Sequence, residues 1–188
     1  DQAMLAAIQN FGGLDILVSN AGAAHAGPML SISNDELRNA FELNFFSHYS
    51  FSTEAAKILK NQNRGGQILF NISKQAVNPG KNFGAYGLPK ATTFFLMRQL
   101  ALELGSDGIR VNGINADRIR SGLLTDDFIS SRAKSRGVSE TEYMAGNLLN
   151  KEVKAEHVAN AFTSLACAES TTGHVMTVDG GNIEASLR

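Results

Sequence analysis

Four short apolar runs, LDILVSNAG, GGQILFNIS, IRVNGINA and HVMTVDGG, end in small or polar residues and are separated by long segments with apolar residues at helical spacing. No other feature constrains the fold as much. Parallel strands need crossovers of a dozen or more residues, usually helical, and strands buried on both faces read as near-continuous apolar runs. The alternation therefore predicts an α/β protein, a doubly wound parallel sheet with helices on both faces.

The first strand is predicted from about Leu14 to Ser19. Ser33, three residues before Glu36, gives a capping-box pattern at the start of a helix expected to run from about Asn34 to Lys60. GGQILFNIS is the second strand, a helix follows from Phe83 to about Leu104, and IRVNGINA is the third strand. A helix around KAEHVANAFTSLACAES leads to the fourth strand. Between the third strand and that helix lies RIRSGLLTDDFISSRAKSRGVSETEYMAGNLLNKEV, more polar than its surroundings, with a second capping-box pattern at Ser139 and Glu142. Ligands of open α/β sheets bind beyond the carboxyl ends of the strands, where this insertion begins. It is a candidate substrate lid, and on position alone an ordinary helical surface excursion has equal weight.

A chain of 188 residues fits one domain. Its 17 basic and 18 acidic residues provide no electrostatic footprint for nucleic acid or an anionic membrane. No apolar stretch approaches the roughly 20 residues that span a bilayer. The one cysteine, Cys167, excludes an internal disulfide, fits a reducing cytoplasm and is expected in the core. His25, His48, His157 and His174 lack metal-ligand spacing, so no metal is expected and the four are assigned to surface or packing roles. The Gly-x-Ser-x-Gly elbow of a hydrolase is missing.

Within NFGAYGLPKAT, Tyr86 and Lys90 are four residues apart, so on a helix their Cβ atoms lie about 5 to 6 Å from each other. Bringing a phenol from a pKa of about 10 to about 7 requires roughly 4 kcal/mol. A positive charge about 4 Å away at an effective dielectric near 20 supplies about that much. The pair is thus a candidate acid/base with its own activator, although a solvated pair at this spacing would read the same in isolation. Pro89 between them admits two readings. Either the helix starts near Asn82 or Phe83, and Pro89 removes the hydrogen bond to the Ala85 carbonyl in its second turn, or regular helix begins just before Lys90.

Tyr86-Gly-Leu-Pro-Lys90, preceded by LVSNAG, by Asn44 in FELNFF and by ILFNIS, and followed by IRVNGINA and VDGG, resembles the short-chain dehydrogenase/reductase family. The match runs in order from residue 11 to about residue 182. The resemblance implies a Rossmann-like fold, a nicotinamide cofactor and hydride transfer involving a small hydroxyl or carbonyl substrate. It implies that Tyr86 is the general acid/base, that Lys90 lowers its pKa and binds the nicotinamide ribose, and that Asn44 holds a water linking Lys90 to solvent. Asn20, Ala21 and Gly22 resemble the family's Asn-Ala-Gly turn beside the adenosine half of the cofactor.

The family's serine is ambiguous here. Counting back thirteen residues from Tyr86 gives Ser73, whereas counting three on from the strand asparagine gives Lys74. Adjacent extended residues face opposite ways, and Ser73 is preferred because a hydroxyl can donate to the substrate oxygen without burying another cation near Lys90. Where the family has Pro-Gly and then threonine, this chain has Ala116, Asp117, Arg118, Ile119, Arg120 and Ser121. Ser121 offers a hydroxyl to the carboxamide or the phosphates. Arg118 and Arg120 are candidates for an anionic substrate group, with solvated loop arginines as the competing reading. The run from Asn71 to Leu124, including Lys74 and the Ala-Asp replacement, also resembles the dehydrogenase portion of bifunctional rhamnulose-1-phosphate aldolase/short-chain dehydrogenases. That likeness implies deoxy-sugar catabolism, with lactaldehyde as substrate and NAD as cofactor.

The family's glycine-rich phosphate loop and ribose-selecting residue have no counterpart in these residues, and LDILVSNAG resembles its fourth strand. Residues 1–188 are therefore expected to be the C-terminal part of a single domain, N-terminally incomplete with the first three strands missing. The first strand here becomes an exposed edge, dinucleotide binding by these residues alone is expected to be weak, and NADP stays open beside NAD. The long helices resemble those through which family members assemble. Expected partners are a small-molecule substrate and further copies of the chain, with no nucleic acid and no membrane. A noncatalytic scaffold kept for assembly is the competing function.

Overall fold

Strands β1 (Ile16–Ser19), β2 (Gly66–Asn71), β3 (Ile109–Ala116) and β4 (Val175–Val178) form one parallel sheet in that spatial order. This computed structural model describes residues 2–24 and 26–182. All four predicted strands are present. β1 is shorter than expected because Leu14 is already committed elsewhere: its N–H donates to Gln62 Oε1 at 2.8 Å and its carbonyl accepts from Gln62 Nε2 at 2.6 Å.

Helix α1 (Gln2–Phe11) precedes β1. Between β1 and β2 runs α2 (Asn34–Phe41), which passes through a π-helical turn at Glu42–Phe46 into α3 (Ser47–Gln62). The predicted capping box starts it: Ser33 Oγ accepts from the Glu36 N–H at 3.2 Å, and the Glu36 carboxylate accepts from the Ser33 N–H at 2.8 Å. One long helix was expected, and the π turn interrupts it at Asn44. Such turns are inserted within α-helices, often at functional sites. Helix α4 (Gly84–Leu104) joins β2 to β3 with Pro89 in its second turn, which decides for the first of the two readings of that residue.

The period of two in the strands sorts the core. Ile68 and Phe70 of β2 and Val111 of β3 pack with Leu59 of α3 and Met97 of α4 on one face. Leu69 and Ile114 pack on the other face against Val158, Ala161 and Leu165 of α7 (Ala155–Cys167). Helices thus cover both faces, as expected of a Rossmann-like sheet. Because the four strands are parallel and in sequential order, the crossover through α7 has the opposite hand to those through α3 and α4. Parallel crossovers are right-handed almost without exception, so at least one connection here breaks the rule. Nothing in the residue pattern signals it.

The insertion after β3 forms α5 (Asp126–Arg136) and α6 (Glu140–Met144), the latter opened by the predicted Ser139–Glu142 capping box. It has a small core of its own, in which Leu124, Ile129, Ala133, Tyr143 and Met144 are buried. Phe128 meets the Phe83 ring edge-on at 5.8 Å, which seats the insertion beside the start of α4. Cys167, expected in the core, is exposed, because it ends α7 on the side turned from the sheet.

Candidate active site

Tyr86 is in the first turn of α4 and is 7% exposed. Burial raises its phenol above the ordinary range, and a hydrogen bond with the Ser73 side chain opposes that rise more weakly. Ser73 lies just past the end of β2 in extended conformation and caps a short 3₁₀ turn, its Oγ accepting from the Gln75 N–H at 3.1 Å. Its neighbour Lys74 has Nζ 3.6 Å from Asp117 Oδ2. The two competing registers thereby separate: the hydroxyl meets the phenol, and the ammonium meets the carboxylate that replaces the family's glycine. The two departures from the family pattern contact each other.

Lys90, one helical turn beyond Tyr86, is 2% exposed and donates from Nζ to the Asn71 carbonyl at 2.9 Å. Burial lowers its pKa to about 8. Its Nζ lies 5.8 Å from the centroid of the Tyr86 ring. The expected depression of the phenol by this ammonium is not what the arrangement produces, since desolvation is the largest influence and acts the other way.

Asn44, in the π turn, is 1% exposed. Its Nδ2 donates to the carbonyls of Ala23 at 2.9 Å and Ala40 at 3.1 Å, and its Oδ1 accepts from the Ala23 N–H at 3.2 Å. Its main-chain carbonyl accepts from Thr93 Oγ1 at 2.7 Å. The side chain thus pins the segment after Gly22 to the helix. Asn20 accepts from Asn71 Nδ2 at 2.6 Å across the ends of β1 and β2. Ala21 and Gly22 are exposed just beyond, and a Cβ on Gly22 would stand 2.9 Å from Asn44 Oδ1 and 3.6 Å from Lys90 Nζ.

Two clefts meet at the phenol. One, of about 400 Å³, lies beneath the insertion and is lined by Ser73, Lys74, Asp117, Arg118 and Phe128 among others. The other, of about 560 Å³, is lined by Asn20, Gly22, Lys90, Val158 and Phe162 among others. Tyr86, Asn71, Ala116, Ile119, Ser121 and Leu123 line both. The second cleft has a ligand-sized volume, and it presents an ammonium, an amide and a hydroxyl around a glycine that leaves room for close approach. Those groups fit the hydroxyls and carboxamide of a nicotinamide nucleoside.

The two candidate arginines part company. Arg118 lines the first cleft, donates to the Tyr143 carbonyl at 2.7 Å and lies 4.8 Å over the Tyr143 ring. Arg120 pairs with Glu152 at 2.8 Å and with Asp126, and lines neither cleft.

His48, assigned to the surface or to packing, is a packed residue: it is 1% exposed, with Nδ1 2.6 Å from Ser19 Oγ and Nε2 3.5 Å from Lys90 Nζ. Its position one turn after Asn44 was the available signal. Burial, then the Lys90 charge, lower its pKa to about 4 against a favourable contact with the Ala21 backbone. An unfolded chain protonates this ring near pH 6.5 and the folded one only near pH 4. The contribution is therefore complete above about pH 6.5 and lost as pH falls, up to about 3 kcal/mol. Urea unfolding between pH 4 and 7 should show this slope and a flatter one in His48→Gln; equal slopes would contradict it. His25 lies outside the described residues. Among the described residues there is no group of three or more potential metal-ligating side chains and no helix long and apolar enough to cross a membrane.

A family model described as enoyl-(acyl carrier protein) reductase matches residues 1–182. The chain is 36% identical over 179 residues to the uncharacterized oxidoreductase YuxG of Bacillus subtilis, covering 91% of this chain and 26% of that protein. It is 32% identical over 180 residues to the 7alpha-hydroxysteroid dehydrogenase of Escherichia coli K12, covering 95% of this chain and 67% of the other. Among solved structures, acetoin dehydrogenase from Enterobacter cloacae superposes with a TM-score of 0.83 at 28% identity, over 98% of this chain and 70% of that one. Carveol dehydrogenase from Mycobacterium avium, solved in complex with NAD, shares the fold with a TM-score of 0.89 at 23% identity, over 97% of this chain and 69% of that one. The matched length and the sheet agree, and the chain belongs to the short-chain dehydrogenase/reductase family.

Proposed function

We propose that these residues carry the catalytic part of an oxidoreductase that transfers hydride between NAD or NADP and a small hydroxyl or carbonyl compound. The observation that carries this reading is Tyr86 at the junction of two clefts, with Ser73 on one side and Lys90 on the other. Asn20, Ala21, Gly22, Lys90 and Ser121 would hold the cofactor, which when bound accepts or supplies the hydride. Ser73 orients the substrate oxygen, and Tyr86 gives it a proton in reduction or removes one in oxidation. Arg118 borders the substrate side; Arg120 has no part in it. Asn44 acts by holding the Ala23 segment beside the second cleft.

Lactaldehyde, with NAD, is the substrate nominated by the likeness of the Asn71 to Leu124 run to the bifunctional aldolase/dehydrogenases, and the Lys74–Asp117 contact supports treating those departures as a unit. The chain spans 26% of the length of YuxG. In that reading residues 1–188 are the C-terminal part of one domain, and β1, paired only with β2 among the described residues, is where further strands would add. A cytoplasmic setting goes with the single cysteine. Full-length protein should produce NADH from NAD with small secondary alcohols and consume NADH with small aldehydes, lactaldehyde included; no turnover on any of them would overturn the reading.

Assembly through the long helices is part of the proposal. Phe46, Phe51, Leu88, Phe95 and Leu102 are exposed along the π turn, α3 and α4. Phe95→Glu together with Leu102→Glu is expected to shift the protein to monomer in sedimentation. An unchanged oligomer would place the interface elsewhere.

A further inference from the structure

His48 has no role in the proton chemistry proposed above, yet it is buried beside the lysine on which that chemistry depends. The groups facing its ring are the Ser19 hydroxyl at the end of β1, the Ala21 backbone beyond it, the Phe70 ring of β2 at 6.1 Å and the Lys90 ammonium of α4. None is a carboxylate. A second positive charge 3.5 Å from a buried ammonium would be unsupported, so the ring is neutral while Lys90 is charged. A neutral imidazole has one donor and one acceptor, whereas an ammonium only donates. Donation from Nδ1–H to Ser19 Oγ leaves the Nε2 lone pair for Lys90, and this tautomer gives both neighbours a partner.

We propose that His48, anchored by Ser19, is a positioning residue for Lys90: it and the Asn71 carbonyl fix the ammonium, leaving one N–H directed into the cleft beside Gly22. The proposal rests on the dehydrogenase reading, in which that remaining N–H meets the cofactor ribose. Three donors and two protein acceptors account for the geometry, with Asn71 at 2.9 Å as the strong contact and His48 at 3.5 Å as the restraint on rotation. A proton relay through His48 forms no part of the proposal: burial and the Lys90 charge both lower the pKa of the ring, so the imidazole stays neutral beside the ammonium.

The test uses the full-length protein and four variants: His48→Gln, which keeps an acceptor, His48→Leu, which does not, Ser19→Ala, which frees the ring, and Lys90→Met, which assigns the Lys90 signal. For His48→Leu, KM for NAD is expected to rise about tenfold, the size of one hydrogen bond to a charged group. Its lysine titration should move down by about one unit, because the ammonium has lost an acceptor. His48→Gln should recover most of both effects, and Ser19→Ala should show a smaller change in the same direction. The titration is read directly by NMR of protein carrying ¹³C at the lysine ε carbon. This readout needs no turnover, so an inactive protein would sink the dehydrogenase reading and still test the His48–Lys90 contact. A Lys90 signal that titrates alike in wild type, Leu and Gln variants would overturn the proposal, as would a Gln variant no better than Leu in folded protein. Should His48→Leu fail to fold, the Gln and Ser19→Ala comparisons with wild type decide: a Lys90 titration unmoved by Ser19→Ala counts against it.

Discussion

Replacing Tyr86 with phenylalanine is expected to lower turnover about a hundredfold or more with the fold intact, the usual scale of a positioned acid/base. The substitution removes one oxygen from a side chain that is 7% exposed and keeps the ring that packs at the head of α4. Ser73 retains its bond from the Gln75 N–H, so the stability change should stay near the roughly 1 kcal/mol of a single hydrogen bond. Circular dichroism and the urea midpoint would register that, while NADH production registers the catalytic loss. A decrease of less than about tenfold would remove Tyr86 from the proton step, because general acid/base groups contribute far more. The direction of the reaction matters too. Burial lifts the phenol, so near neutral pH it holds its proton and is ready to donate to a carbonyl oxygen. Alcohol oxidation needs the phenolate and should accelerate as pH rises; a flat alkaline profile for wild type, with chemistry limiting, would contradict the assignment.

The sheet was legible because its determinants are local. GGQILFNIS and IRVNGINA read as strands buried on both faces, and alternating with long helical segments they fit a parallel sheet, while the Ser33–Glu36 and Ser139–Glu142 boxes mark helix starts through contacts three residues apart. The handedness of the last crossover was not legible, since it depends on which face Val158, Ala161 and Leu165 choose, and both faces of β2 and β3 are apolar. At the site, the pairing of Tyr86 with Lys90 follows from helical spacing, but the environment of each does not. The phenol's upward shift comes from burial, which the helical spacing does not reveal, and His48 meets Lys90 across 42 positions. The partners of Ser73 and Lys74 likewise could not be read along the chain, because Asp117, which lies beside the lysine, arrives on another strand's end. Arg118 and Arg120, two residues apart, were indistinguishable until their partners were known.

Asp117→Asn is expected to destabilise the fold by about 3 kcal/mol, as removal of one partner from a buried ionic cluster does. Asp117 is 13% exposed at its side chain, and its carboxylate lies 3.6 Å from Lys74 Nζ and 3.4 Å from Arg118 Nε, side chains that are themselves 10% and 11% exposed. Asn182 also donates to it. An amide at this position keeps the shape and brings two cations together without the negative charge between them. Lys74→Met should soften the effect: in that background Asp117→Asn is expected to cost about 1 to 3 kcal/mol less, a coupling readable as non-additive urea midpoints. The consequence for binding follows from what Arg118 holds. Its guanidinium bonds the Tyr143 carbonyl, so loss of Asp117 loosens the join between the end of β3 and the insertion core. KM for the substrate should then rise more than KM for the cofactor, because Asp117 lines the cleft beneath the insertion and not the one beside Gly22. Additive effects of Lys74→Met and Asp117→Asn, or a larger change in cofactor KM, would show that this contact is incidental to the substrate side.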